Sequence, residues 1–173
     1  CGELKEYPLN QYDYSGYISL EFFHQYSETL GMNVTWSTIL DVFDAFHDEM
    51  DGDKVLQQVK KTIDASDRVV FGVLFVDHDQ GLVGALGTHN KKYDTWVLTP
   101  EIAEDLQGSV DYAGHEMIIT GYDDNAIATD SDNNSYRGLL KLRNSWGDRV
   151  GDHGDFYMSY DYFKTLVIEA QRI

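Results

Sequence analysis

One cysteine, Cys1, is the only thiol in 173 residues, so no disulfide framework can close within the chain. Basic residues are scarce as well. Thirteen Lys and Arg stand against 30 Asp and Glu, a net charge of −17. Nucleic acid and anionic membrane surfaces are drawn to clustered cations, and neither is expected as a partner. No apolar run reaches the roughly 18 residues of a membrane span, and no basic-then-apolar segment opens the chain as a signal peptide would. The chain begins on Cys1 rather than Met, which leads us to expect a processed product or an excerpt whose precursor could still carry a leader. No internal repeat is visible. His78, His89 and His153 are scattered among Asp and Gly without metal-ligand spacing and read as surface histidines. Asp130 to Asn134 alternates oxygen-bearing side chains, yet Ser135 stands where a calcium loop needs Gly and Lys141 where it needs Glu. That segment reads as a solvated hairpin loop, and no metal or cofactor is expected.

What is present is the material of a folded domain. Apolar residues make up 42% and aromatics 13% of the chain, enough for one sizeable core. Residues 1–17 lack periodicity and read as an extended segment. Leu20, Phe22, Phe23, Tyr26 and Leu30 fit a helix over 19–30 that Gly31 ends. A second helix is expected from Ser37, with Ile39, Leu40, Phe43 and Phe46 as its buried stripe. Asp51-Gly52-Asp53 reads as a turn, and a third helix follows over 54–63 with Val55, Leu56, Val59 and Ile63 inward. Residues 68–76 form a buried strand, and 77–94 a long, Gly-rich, polar connection. Thr99 caps a short helix with Pro100 in its first position. Two strands come next, over 114–122 and 138–147, and then one around 156–158 and a closing one over 166–168. Helices first and antiparallel strands after predict an α+β fold.

The two central strands carry the chemistry. Side chains in a strand alternate faces, so His115, Met117 and Ile119 share one face of the first, and Leu140, Leu142 and Asn144 one face of the second. If the strands pair antiparallel, the start of one lies beside the end of the other, and His115 meets Asn144. An imidazole works as a general base only when its tautomer and orientation are held, and an Asn oxygen can accept its other ring N–H. Trp146 follows closely enough to cover that bond.

Gly114-His115, the apolar run to Gly121-Tyr122-Asp123, then Leu142-Arg143-Asn144-Ser145-Trp146-Gly147, then the Val150-to-Tyr160 stretch together resemble the His and Asn region of papain-family cysteine peptidases. The resemblance implies a papain-like α+β fold, mainly its antiparallel, barrel-like sheet half over residues 54–173. Residues 1–53 would connect it to a missing N-terminal half. It implies peptide-bond hydrolysis with His115 as acid and base and Asn144 orienting it. Ala113, Gly114 and Trp146 would line the substrate, and an exported, lysosome-like or periplasm-like setting would follow. The thiolate is harder to place. Cys1 is followed by Gly2-Glu3-Leu4-Lys5-Glu6-Tyr7-Pro8, too polar for the family's buried helix and stopped by Pro8. It also stands nearer His115 than the roughly 130–150 residues the family shows. The nucleophile is expected on an N-terminal segment or chain of the same enzyme, with peptides or proteins as substrates. A non-catalytic papain-like binding module without a nucleophile is the alternative, and Cys1 as nucleophile a lesser one.

Overall fold

The computed structural model describes residues 36–46, 50–77, 84–108 and 111–173. Cys1, the helix expected over 19–30 and His78 lie outside them. The described elements are β1 (Ser37–Leu40), α1 (Val42–Ala45), α2 (Gly52–Asp64), β2 (Val69–Asp77), β3 (Thr95–Trp96), α3 (Pro100–Asp105), β4 (Asp111–Thr129), β5 (Ser135–Arg143), β6 (Asp155–Ser159), α4 (Tyr160–Leu166) and β7 (Val167–Arg172). The strands form one seven-stranded sheet in the order β1-β7-β2-β4-β5-β6-β3. Neighbours run antiparallel except β3 and β6, which are parallel. The fold is α+β as expected, but among the described residues the sheet is not closed, since β1 and β3 at its two ends do not pair with each other.

β2 supplies the centre of the core. Val69, Phe71, Val73 and Phe75, every second residue, are almost wholly buried, as a strand facing a packed layer requires. That layer contains α2 and α4. Asp51 caps α2 by accepting from Lys54 N–H at 3.1 Å, so the expected turn Asp51-Gly52-Asp53 is instead the cap and first two residues of the helix, and Val55, Leu56, Val59 and Thr62 form its buried stripe. α3 starts as expected, with Thr99 as cap and Pro100 in the first turn.

Two readings of the sequence are corrected. Ser37–Leu40 is an edge strand on β7, and only Val42–Ala45 is helical, capped by Asp41. Phe43 and Phe46 are exposed instead of forming a buried stripe. The closing strand runs Val167–Arg172, later than expected, because Ser159 caps α4 and Tyr162, Phe163 and Leu166 enter the core from a helix.

β4 positions the candidate site because it changes partners along its length. It pairs with β2 over Asp111–Ile119 and with β5 from Ile118 to Thr129, with register breaks between Ile119 and Gly121 and between Asp123 and Ile127. His115 lies opposite Val73, Met117 opposite Phe71 and Ile119 opposite Val69, all on the core face. The last β5 pair is Ile118 with Arg143. His115 therefore lies beyond the end of β5, where the chain leaving that strand can turn toward it.

Candidate active site

Met117 and Ile119 are buried, and His115 is the half-buried polar residue where their face opens. Its ring stands 5.9 Å from that of Phe75 and is stacked by Trp146 at 5.1 Å and 23°. Trp146 rests edge-on against Phe156 at 5.6 Å and near Trp96 at 6.2 Å, so the imidazole sits at the rim of an aromatic cluster rooted in the core. The pairing expected from strand alternation is present: His115 Nε2 lies 2.9 Å from Asn144 Oδ1.

The sense of that bond follows from a second one. Ser145 N–H donates to the same Oδ1 at 2.7 Å, which fixes the amide with its oxygen toward the ring. An oxygen cannot donate, so His115 Nε2 carries the proton. Nδ1 is left without a hydrogen bond among the described residues. Asn144 is 7% exposed, and its Nδ2 is buried without a partner among the described residues. Beside the ring, Ala113 is half-buried, and Gly114 is exposed with no atom within 4 Å of where a Cβ would stand. The surface beside the ring is open there. A cleft of about 300 Å³ on the other side of Asn144 is lined by Val70, Glu116, Ile118, Arg143 and Ser145.

The turn that brings Asn144 to the ring is tied down by charge. Asp155, almost buried, bonds Lys141 Nζ and Arg143 Nε, each at 2.8 Å. Arg143 Nη1 also donates to His153 O at 2.9 Å, and Asn144 N–H donates to Gly154 O at 3.2 Å. Gly154 has φ +86°, and a Cβ there would lie 2.8 Å from Arg143 Nη1. Only Gly meets both demands cheaply. Sequence reasoning missed Asp155, whose one signal was an acidic residue opening an apolar strand.

A second clasp lies beside it. Buried Asp94 accepts from the backbone N–H groups of His89, Asn90 and Lys91 at 2.6–2.9 Å and from Thr95 Oγ1. Asn90 donates to Tyr157 Oη at 2.7 Å, and Tyr157 donates to Asp152 at 3.1 Å. Burial, with the Asp152 bond adding to it and the Asn90 bond opposing it, pushes the Tyr157 phenol up to about 12. His89 is half-buried and edge-on to Tyr157 at 4.5 Å, a correction to its reading as a surface residue, whereas His153 is exposed as expected. Asp130 closes the β4–β5 hairpin through Asp132 N–H, Asn134 N–H and Tyr136 Oη. Among the described residues no group of three or more His, Cys, Asp or Glu could hold a metal ion.

No curated protein sequence matches the chain. Solved structures align with part of it, among them these three. Xylellain, a cysteine protease from Xylella fastidiosa, is 20% identical over 68% of this chain and 36% of its own, with a TM-score of 0.42. Pepw from Lactobacillus rhamnosis is 23% identical over 70% and 26%, with a TM-score of 0.38. A proenzyme from Plasmodium falciparum is 20% identical over 74% and 28%, with a TM-score of 0.41. The aligned part thus spans about a third or less of the length of those proteins. Residues 17–171 match the Peptidase C1-like family, and the chain belongs to that family.

Proposed function

We propose that this chain is the His- and Asn-bearing part of a cysteine peptidase whose thiolate comes from a segment upstream of it. The observation that carries the reading is the one-sided bonding of His115. Nε2 is committed to Asn144, and Nδ1 is left for a second partner. A thiolate there would form an ion pair with the imidazolium and attack the carbonyl carbon of a peptide bond. The imidazolium then gives its proton to the departing amine. In the second half, water loses a proton to His115 as it attacks the thioester, and the carboxylic acid leaves with the thiol restored. Asn144 keeps the ring in one tautomer through both halves, and Trp146 limits water on one ring face. Ala113 and Gly114 flank the scissile region on the other side, where the open space beside Gly114 suits a substrate backbone.

Cys1 does not supply the thiolate in this account, because the sequence after it, polar and interrupted by Pro8, does not read as the buried helix that would lower a thiol's pKa. The test is hydrolysis of a broad peptide-amide substrate by the chain with its upstream region and by the chain alone. Turnover is expected only from the longer polypeptide, and His115→Ala should lower it by about 10²-fold or more. An intact precursor that lacks an upstream cysteine and has no turnover would make the fold a binding module instead.

A further inference from the structure

We propose that Arg143 and Asp155 are positioning residues for the His115–Asn144 pair, an inference that rests on reading that pair as catalytic. Arg143 belongs to the strand face opposite Leu142, which lies in the core, and it has no bond to His115 or to the Asn144 side chain. It reaches the site through the backbone. One edge of the guanidinium bonds Asp155 Oδ1, and Nη1 bonds His153 O. The next carbonyl, Gly154 O, accepts Asn144 N–H. The amide of Asn144 thus hangs from a turn whose place is set by a fork with two fixed directions, which a guanidinium provides and a single ammonium does not. Asp155 anchors the fork from a nearly buried carboxylate.

Lys141 separates positioning from plain stabilisation. It bonds the same carboxylate at the same 2.8 Å but makes no bond to the 153–154 turn. Removing either cation takes one ion pair from Asp155, and only loss of Arg143 also frees the His153 carbonyl, one residue before the Gly154 carbonyl that accepts from Asn144. A structural role predicts like effects from both variants. The positioning role predicts that they differ at His115.

Ring nitrogen-15 spectra of His115 in the 173-residue chain read this directly, because a protonated and a bare ring nitrogen resonate apart. The parent and Lys141→Met should both show one tautomer with the proton on Nε2. Arg143→Met and Asp155→Asn should show mixed tautomers and faster exchange of the ring proton. Arg143→Lys is the milder variant should Arg143→Met not fold; it keeps the charge but not the fork and should also give mixed tautomers. The proposal is overturned if folded Arg143→Met or Arg143→Lys keeps the parent ring state, or if Lys141→Met disturbs it as much. A parent ring protonated on Nδ1 instead would remove the catalytic-pair reading itself, and this inference with it.

Discussion

His115 and Ser145 donate to the same atom: the ring Nε2 and the backbone N–H meet Asn144 Oδ1 at 2.9 and 2.7 Å. The backbone bond makes the side-chain bond informative, because it leaves the amide one sense and the imidazole one tautomer. The same residue keeps a buried Nδ2 with no partner among the described residues. Asn144 is therefore placed for the ring at some expense to its own hydrogen bonding.

Asn144→Ala should accordingly separate stability from activity. It deletes two bonds worth about 0.5–1.5 kcal/mol each, and it also deletes an unpaired buried donor that costs about 1–3 kcal/mol. The two nearly cancel. Urea midpoints of parent and variant should correspond to less than about 1.5 kcal/mol of difference, while peptide hydrolysis by the longer polypeptide falls steeply. A large loss of stability would make Asn144 a structural residue.

Gly138 and Tyr160 supply a second prediction. Gly138 has φ +85°, and a Cβ on it would lie 2.5 Å from the Tyr160 ring. That ring cannot easily withdraw, since its hydroxyl is bonded to Asp124 at 2.7 Å and Asp124 is paired with Lys60. Gly138→Ala should cost about 1–3 kcal/mol from the backbone conformation alone and more from the clash, measured by urea unfolding. Gly114→Ala, with open space at its Cβ and negative φ, should cost far less.

Glu169 gives a pH-dependent prediction. Burial, then the charge of Glu116 facing it across Gly72, then Asp41, hold its carboxyl above the ordinary value. Its contribution to stability is thus fully present below the ordinary carboxylate pKa and is lost as pH rises through the raised one. Glu169→Gln should unfold at higher urea than the parent at neutral pH, and the advantage should shrink toward zero near pH 4. An equal advantage at both pH values would contradict the sign.

How much of this was readable in the sequence depends on the range of each interaction. His115, Asn144 and Trp146 were legible because strand alternation and one antiparallel pairing suffice to bring them together. Ser37 to Phe46 was misread because Ile39, Leu40, Phe43 and Phe46 satisfy helical spacing although a short strand and a single helical turn share them. The start of α4 was signalled by Ser159, Asp161 and the Tyr162-Phe163-Leu166 stripe, but the preceding strand pattern masked it. The Asp94 clasp was not legible, since three of its partners are backbone N–H groups that carry no residue identity.

The corrected stripe has its own test. Phe71 is fully buried and Phe46 is 68% exposed. Phe71→Ala should cost about 3–5 kcal/mol, and Phe46→Ser should change urea stability by no more than about 0.5 kcal/mol. Similar losses from both would return Phe46 to the core.

The central claim is that His115 and Asn144 serve a thiolate other than Cys1. The most direct measurement is the rate of peptide-amide hydrolysis by the polypeptide carrying its upstream region, compared among the parent, Cys1→Ser and His115→Ala. The account predicts an unchanged rate for Cys1→Ser, abolished in both by a thiol-alkylating reagent, and a loss of about 10²-fold or more for His115→Ala. Loss of activity on Cys1→Ser, or full activity without His115, would contradict it.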